Sequence, residues 1–330
     1  MITIRFCEID ELPKLQKFID EKWRKNHRLA HDTRLVNFQH LNLTDNILNF
    51  ILAIDDDTNE ILSILGFIPT SQYDPALKKE NDLWLAIWKT DVDNPKSKGT
   101  GVQLLEFLIE KFNPVSIGAI GINSKVKKLY QALKFKTDIL KHYYYLNPAL
   151  SNFSIANLSP ANNSSSEIEL IHHDEITNLK GLVMDAHPLK SIEYCINRYA
   201  KHPNYEYLFY GLYDNKELQT LWVIRKITVQ NSSCLRIVDM IGNLEFNKDL
   251  SQELNKILAV HQSEYIDVLN YGIKEEVFIH QGFRRRTDNI IIPNYFEPFE
   301  RRNVDIEFAI KTSQEKYIIF KGDSDQDRPN

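Results

Sequence analysis

The chain has 330 residues, of which 43% are hydrophobic and 26% charged, which is enough for two ordinary domains and too apolar for a disordered chain. Its formal net charge of -5 argues against a strongly basic nucleic-acid-binding protein. No apolar run approaches the roughly 20 residues that span a bilayer, and no secretory signal opens the sequence. The cysteines, Cys7, Cys195 and Cys234, are scattered and suit a reducing compartment. We expect a cytoplasmic protein that binds neither nucleic acid nor membrane.

The first half of the chain alternates strands and helices. Residues 24–48 are rich in histidine and polar groups and are predicted to be irregular. The apolar periodicity predicts, in chain order, a strand at 2–7, a helix at 9–23, strands at 49–54, 61–68 and 82–89, a helix at 102–112, a strand at 115–122, a helix at 124–133 and a strand at 138–146.

The second half repeats much of this order after a Ser- and Asn-rich linker at 149–166. The domains are therefore predicted at 1–148 and 167–330, as a degenerate internal repeat. The polar end of the chain, from residue 322, is expected to be a disordered tail. The predicted elements are a strand at 168–171, helices at 174–184 and 192–199, a hairpin of 208–213 and 218–227, a strand at 235–241, a helix at 250–261, a strand at 265–269, a helix at 274–280 and a strand at 289–292.

Two closely spaced glycines precede the helix at 102–112. Gly99 and Gly101 allow the backbone to approach a ligand closely. The helix that follows begins with N–H groups that lack intrahelical partners, and these bind anions such as a pair of phosphates. The spacing matches neither a Walker A loop nor a dinucleotide-binding fingerprint, and a simple tight turn is the alternative interpretation. The whole segment is Lys96, Ser97, Lys98, Gly99, Thr100 and Gly101.

A second motif follows the next predicted strand and begins at Asn123, with the pattern Asn-x-x-Val-x-x-Leu-Tyr-x-x-Leu-x-Phe. Together with Lys96-x-x-Gly99-x-Gly101, it resembles the two motifs of the GCN5-related N-acetyltransferase (GNAT) family. The family usually has Gln or Arg, Ala and Gly where this chain has Lys96, Val126 and Lys134. The resemblance covers about residues 2–146 and includes the order of strands. The second half resembles a GNAT fold without the glycine loop.

The resemblance implies an α/β (α+β) fold of two tandem GNAT-like domains, each with a mixed, mostly antiparallel sheet flanked by helices. It also implies acetyl-CoA or another acyl-CoA as cofactor, with pantetheine between the splayed strands at 82–89 and 115–122. Tyr130 would donate a proton to the leaving thiolate, although a tyrosine packed on the sheet is the alternative. The residues assigned to the cofactor are Trp88, Lys96, Ser97, Lys98, Gly99, Thr100, Gly101 and Asn123.

The acceptor must react as a free amine, so a base is needed. Asp82, at the start of a strand where GNAT proteins often carry Glu, is the candidate catalytic base. The histidines of residues 23–40, a segment that covers the acceptor in the family, are further candidates for the base. The acidic tail would bind an ammonium or hydroxyl groups of the acceptor, and for both segments a solvated surface is the alternative interpretation. No paired ligand set accompanies them, so no metal site is predicted. The predicted substrate-binding residues are Trp23, Asn26, His27, His31, Gln39, His40, Asp325 and Asp327.

Tandem chains with Trp-x-x-Asn-His near the first helix and an Asp-rich end are similar to bacterial N-acyltransferases acting on nucleotide-linked amino sugars in surface-polysaccharide synthesis, such as O-antigen or capsule. This resemblance implies an acyl-CoA-dependent N-acyltransferase with a small-molecule acceptor, as a monomer or homodimer. Alternative acceptors are a peptide, a polyamine or an antibiotic. Use of charged tRNA is disfavoured because neither half is basic. A binding protein that has lost turnover is the alternative from another class.

Overall fold

The computed structural model describes residues 1–79, 81–156, 168–171, 175–176, 179, 182, 184–296, 299–325 and 327. The chain divides into two compact units, one of residues 1–119 with 202–204 and one of residues 120–201 with 205–330. Both contain mixed sheets flanked by helices, which confirms the predicted fold class. In the described part of the chain, no helix has the length and apolar composition needed to cross a membrane.

The first unit is built on a five-stranded run in the order β1-β3-β4-β5-β6. All neighbours are antiparallel except β5 and β6, which are parallel. The strands are β1 (Ile2–Glu8), β2 (Leu41–Asn42), β3 (Ile47–Asp55), β4 (Glu60–Pro69), β5 (Asp82–Thr90) and β6 (Ser116–Ile120), where Ile120 already belongs to the second unit. The helices are α1 (Leu12–Phe18), α2 (Arg28–His31), α3 (Thr33–His40) and α4 (Thr100–Phe112).

The expectation that residues 24–48 are irregular was wrong. The helices α2 and α3 lie there, and each begins with a side-chain cap. His27 Nδ1 accepts a hydrogen bond from the Leu29 N–H at 3.3 Å, and the Asp32 carboxylate accepts one from the Leu35 N–H at 3.1 Å. Leu29 and Leu35 are buried in the core of this unit. Helices of one and two turns repeat too few apolar positions for periodicity to reveal them.

The second unit carries a longer sheet in the order β14-β8-β13-β12-β11-β10-β9, with β18 added beside β13. β7 pairs with β17, and β12 runs parallel to β13. The strands are β7 (Lys136–Ile139), β8 (Lys141–Leu146), β9 (Ile168–Ile171), β10 (Leu208–Asp214), β11 (Glu217–Val229), β12 (Ser232–Gly242), β13 (Tyr265–Tyr271), β14 (Arg284–Arg285), β15 (Tyr295–Phe296), β16 (Phe299–Glu300), β17 (Glu307–Thr312) and β18 (Ile319–Phe320). The helices are α5 (Ser124–Ala132), α6 (Ile192–Cys195), α7 (Ser251–His261) and α8 (Glu275–His280).

The elements predicted at 289–292 and 174–184 have different outcomes. Residues 289–292 form no strand, so that prediction was wrong. The Asn303 side chain holds this segment, because it accepts a hydrogen bond from the Ile292 N–H and donates one to the Ile290 carbonyl. The predicted helix at 174–184 falls largely outside the described residues.

The strand predicted at 138–146 is two strands with different partners. Its first part belongs to β7, which pairs with β17, whereas β8 pairs with β13 from Leu146 opposite Tyr265 to Lys141 opposite Asn270. Buried Leu140 separates them. Because β8 completes the sheet of the second unit, the division between the units at 119 and 120 differs from the boundary predicted at 148.

The predicted linker at 149–166 lies partly outside the described residues. Its beginning is attached to the second unit, because the carboxylate of Glu264 accepts hydrogen bonds from the backbone N–H groups of Ser154 at 2.6 Å and Ile155 at 2.8 Å.

The acidic end of the chain is buried, so the expected disordered tail was wrong for residues 322–325 and 327. Asp323 is fully buried and pairs with Lys190 at 2.8 Å, and Lys190 also contacts Asp239 at 2.6 Å. Asp327 accepts a hydrogen bond from the Tyr207 hydroxyl at 2.6 Å. In the sequence alone, three carboxylates within five residues indicate a solvated tail. Their buried partners are distant in the sequence, so the local pattern does not reveal them.

Lys134, one of the departures from the GNAT motif, lies where the backbone favours glycine. It follows α5 with φ of +63°, the left-handed conformation, and its N–H donates to the Gln131 carbonyl at 3.0 Å. Glycine adopts this conformation without a steric penalty, whereas other residues lose roughly 1–2 kcal/mol. This end of the helix therefore favours the glycine that the motif usually carries, and Lys134 occupies it with some strain.

We expect Lys134→Gly to raise the free energy of unfolding by up to about 1 kcal/mol, because strain is removed. The same change inside α5, Lys128→Gly, should lower it by about 1 kcal/mol, since glycine is a poor helix former. Chemical denaturation of both variants gives the sign, and a decrease in both would contradict the strain.

Candidate functional site

The glycine loop lies at the start of α4, and its two glycines have different tasks. Gly99 precedes the helix with φ of +85°, and a Cβ built on it meets no atom within 4 Å, so the space beside it is open. A Cβ on Gly101 would lie 2.8 Å from Thr90 Oγ1 and 3.2 Å from Trp88 Nε1. Trp88 Nε1 donates to the Gly101 carbonyl at 3.0 Å. Gly99 therefore makes the turn, and Gly101 lets the first turn of α4 lie against β5.

The hydroxyl groups of the loop hold its own backbone. Ser97 Oγ donates to the Asp91 carbonyl at 2.6 Å, and Thr100 Oγ1 donates to the Ser97 carbonyl at 2.6 Å. Ser63 Oγ lies 2.5 Å from Thr100 Oγ1, and all three hydroxyl-bearing residues are buried. The loop therefore offers an anion the N–H groups at the start of α4, which a helix leaves without intrahelical acceptors.

The two lysines of the loop differ in their surroundings. Lys96 Nζ lies 2.9 Å from a carboxylate oxygen of Asp55 and 2.9 Å from one of Asp57. Its ammonium holds the pKa values of both carboxyls below their usual range, and they in turn raise the pKa of Lys96. Lys98 is exposed. The positive charge of Lys96, predicted to bind cofactor, thus already has two carboxylate partners.

Beside this loop, β5 extends beyond its pairing with β6. Their parallel pairing begins at Asp82 opposite Ser116 and ends at Leu85 opposite Ala119, whereas β5 continues to Thr90. β6 ends at Ile120, so beyond Leu85 this edge of β5 has no partner in β6. The pairing of β5 with β4 has an irregularity at the same level, between Leu65 and Phe67. The splay that the GNAT resemblance implied, with pantetheine between the strands, stays a prediction.

Asp82 lies at the other end of β5. It is fully buried, and the Ser116 hydroxyl donates to its carboxylate. The structure therefore does not bring the predicted base next to the glycine loop, and its catalytic role remains a prediction.

Three of the predicted acceptor residues are buried. His40 is fully buried, with Nδ1 3.2 Å from the Phe67 carbonyl oxygen and its ring 4.4 Å from the ring of Phe50. Gln39 is also buried, and His27 caps α2. These contacts favour a packing role for His40 and Gln39.

The other acceptor candidates of this segment remain near the surface and meet around one carboxylate. The Asn26 N–H donates to Asp20 at 2.7 Å, and His31 Nε2 lies 3.0 Å from the same oxygen. These hydrogen bonds, that of Asn26 first, lower the pKa of Asp20. Trp23 is 38% exposed. Asp20, which the sequence analysis did not select, therefore organises this surface.

In the second unit, Asn123 and Tyr130 lie on α5. The Asn123 side chain caps the helix and accepts hydrogen bonds from the N–H groups of Lys125 at 3.0 Å and Val126 at 3.1 Å. Tyr130 is buried, with its ring 5.1 Å from that of Phe135. Burial raises the pKa of Tyr130, so its hydroxyl keeps its proton at neutral pH, as a proton donor requires.

The acidic residues predicted to bind substrate lie inside the second unit. Asp325 is buried, and Asp327 lies 3.5 Å from Arg225 besides accepting from Tyr207. The protein itself therefore supplies partners for Asp327. Within the described residues, no group of three or more His, Cys, Asp or Glu side chains is arranged to hold a metal ion.

The Lys96 cluster predicts a pH-dependent stability. Carboxyls whose pKa is lowered on folding stabilise the protein above their unfolded pKa of about 3.9 and lose that effect as pH falls through the folded value. Lys96→Met removes the cause of the lowered pKa values of Asp55 and Asp57. We expect it to lower the melting temperature most at neutral pH and progressively less below about pH 4.

Thermal unfolding between pH 3 and pH 7 measures this difference. Lys98→Met, an exposed neighbour, is the matched control and should leave the melting temperature unchanged. A deficit in Lys96→Met that stayed constant across the range would contradict the ion pairs.

Comparisons with known proteins place the fold. No protein-family model matches the chain. No curated protein matches it. The crystal structure of a GCN5-related N-acetyltransferase from Anabaena variabilis ATCC 29413 matches with a TM-score of 0.54 and 10% identity, over 95% of this chain and 73% of that one.

The crystal structure of a conserved protein of unknown function from Enterococcus faecalis V583 matches with a TM-score of 0.52 and 7% identity, over 94% of this chain and 72% of that one. Likeness at such low identity concerns the fold. Since both matches extend over nearly the whole chain, the protein has the fold of the Anabaena N-acetyltransferase across both units.

Proposed function

We propose that the protein is an acyl-CoA-dependent N-acyltransferase of the GNAT type. It would transfer an acetyl or longer acyl group to the amino group of a nucleotide-linked sugar in surface-polysaccharide synthesis. The observation that carries the proposal is the glycine loop at the start of α4, beside a strand that extends beyond its parallel neighbour. The fold shared with the Anabaena N-acetyltransferase supports the same class of reaction.

The loop suits the pyrophosphate of acyl-CoA. The thirteen-residue helix α4 presents its positive end there, and the open space beside Gly99 admits an anion close to the backbone. The buried hydroxyls of Ser97 and Thr100 fix the loop before a ligand arrives. Since Lys96 is neutralised by two carboxylates, backbone N–H groups are the main donors at this site.

Acyl-CoA supplies a thioester, whose acyl carbon is attacked by the acceptor amine. In the proposed mechanism the bond to nitrogen forms first, the bond to sulfur then breaks, and Tyr130 gives its proton to the departing sulfur. The amine must lose a proton, and Asp82 is the proposed acceptor of that proton. Asn123 fixes the start of α5 and hence the position of Tyr130.

The amino sugar is the finer part of the proposal and is supported by the sequence pattern of Trp23, Asn26 and His27. The surface around Asp20 offers such an acceptor hydrogen-bonding groups, among them His31. A cytoplasmic location is proposed because the three free cysteines are all buried thiols. We propose a monomer or homodimer.

The first test concerns the phosphate site. Gly99→Val should weaken acetyl-CoA binding at least tenfold in calorimetry, because its side chain projects into the open space that the pyrophosphate needs. Gly99→Ala carries the same left-handed strain with a smaller side chain, so it separates strain from obstruction. Undiminished binding in Gly99→Val would overturn the assignment of this loop.

The second test concerns Tyr130. Tyr130→Phe keeps the ring on Phe135 and removes only the hydroxyl. A thiol with a pKa of about 8.5 is already a fair leaving group. We therefore expect kcat to fall by a factor in the lower part of the ~10²–10⁴-fold range that is usual for general acid catalysis, with little change in KM for acyl-CoA. Steady-state kinetics with a competent amine measures both constants.

Tyr210→Phe is the matched control, since Tyr210 is another buried tyrosine of the second unit, 2.7 Å from His261 Nε2. It should change stability without changing kcat. A wild-type kcat in Tyr130→Phe would reduce Tyr130 to a packing residue.

A further inference from the structure

In the second unit, the pairing of two parallel strands ends while both strands continue. β12 and β13 pair from Leu235 opposite Ile266 to Ile237 opposite Val268. Beyond that point β12 continues to Gly242 and β13 to Tyr271. Without another partner for the two strands, a gap would open here.

Residues 319–322, which we call the closing segment, fill this gap. Ile319 and Phe320 pair with Tyr271 and Asn270 of β13. The Lys321 N–H donates to the Leu269 carbonyl at 3.2 Å, and the Gly322 N–H donates to the Val238 carbonyl of β12 at 2.8 Å. The segment is therefore hydrogen-bonded to both strands.

Buried charges hold the closing segment in place. Lys190 joins Asp323, directly after the segment, to Asp239 of β12. Arg198 donates to the carbonyl groups of Gly322 and Ser324. A Cβ on Gly322 would lie 2.6 Å from the Val238 carbonyl oxygen, so the approach is close. The gap that would take acyl-CoA in the first unit is thus closed in the second by the chain itself.

A cavity of about 820 Å³ remains at the mouth of the closed gap, where β12 and β13 end. We propose that this cavity binds the nucleoside diphosphate portion of the acceptor, an inference that rests on the proposed function. Cavities of this size are typical of small-molecule sites, and the carboxyl ends of diverging parallel strands are a common location for them. The side chains that line it include Lys136, Asn243, Tyr271, Lys274, Lys316 and Tyr317.

Three lysines and three carboxylates line the cavity, so its affinity for a diphosphate depends on which lysine can turn to an anion. Lys316 and Lys274 have exposed carboxylate partners that also line the cavity, Asp185 at 2.5 Å and Glu245 at 3.8 Å, and exposed pairs of this kind contribute little and exchange readily. Lys136 forms no ion pair with any residue that the structure describes; its ammonium is hydrogen-bonded to the Tyr271 hydroxyl. It is therefore the cation most available to a phosphate.

The other walls suit a nucleoside or sugar ring. Tyr271 and Tyr317 provide aromatic surface, against which such rings pack. Asn243 provides an amide that can both donate to and accept from hydroxyl groups. An amphipathic ligand with an anionic centre therefore fits the lining better than a purely apolar one.

The cavity is also close to the helix that carries Tyr130. Ile310 of β17, opposite Lys136 of β7, lines the cavity. Its neighbour Lys311 points to the other face, with Nζ 5.7 Å from the centre of the Phe135 ring, which packs on Tyr130. One pair of strands therefore separates the cavity from the proposed proton donor.

The test is calorimetric titration of the full-length protein with UDP and with dTDP, which represent the nucleoside diphosphate without the sugar. We expect Lys136→Met to raise the dissociation constant at least tenfold. Lys134→Met is the matched control: it removes the same charge two residues away, is exposed and does not line the cavity. It should bind UDP or dTDP as the wild type does.

Hydrogen exchange supplies the second readout. A bound nucleoside diphosphate should slow exchange of the amides at 271–274 and 316–318. The inference is overturned if neither nucleotide binds at millimolar concentration, if Lys136→Met binds as tightly as the wild type, or if protection appears elsewhere. Acetyl-CoA binding to the same samples tests the proposed function separately, and should be equal in both variants, with one acetyl-CoA per chain because the second gap is closed.

Discussion

Parallel pairing that ends before the longer strand does is the constraint on which both units depend. It leaves backbone N–H and C=O groups without strand partners, and buried groups of this kind must be satisfied by something else. Beyond Leu85, β5 has no partner in β6, and the open space beside Gly99 is where we propose that acyl-CoA binds. Beyond Ile237 of β12, the second unit satisfies the strands with its own closing segment. One geometry would thus provide the proposed ligand site in one unit and a structural element in the other.

The closing segment requires a buried cation, and the chain compensates its charge. Burial alone would lower the pKa of Lys190, but Asp239 and Asp323 on either side more than reverse this and raise it. A buried ion pair contributes little to stability when intact, whereas loss of one partner typically leaves an unpaired charge that is costly by 3–5 kcal/mol. Lys190 therefore fixes the position of the closing segment and adds little to the free energy of unfolding, because a shift of the segment would separate Asp323 from its cation.

Local patterns predicted much of the fold, because the spacing of apolar residues indicates most strands and the longer helices. The glycine loop and Asn123 were also found from local spacing, since a helix start constrains adjacent residues. The division of residues 136–146 into β7 and β8 could not be found this way, because it depends on partners more than a hundred residues away. The same holds for the ion pair of Lys96 with Asp55 and for the burial of His40, which are decided by tertiary contacts.

The pairing of Lys96 changes how the proposed phosphate site would discriminate between anions. A free lysine attracts any anion, and its attraction is screened by salt within about 10 Å. Here Asp55 and Asp57 compensate that charge, so an anion gains mainly from N–H groups whose directions are set by the Ser97 and Thr100 hydrogen bonds. Directional donors on a rigid loop favour an anion of matching shape over one that is merely charged. The proposed site would therefore select a pyrophosphate over a compact anion of equal charge by geometry.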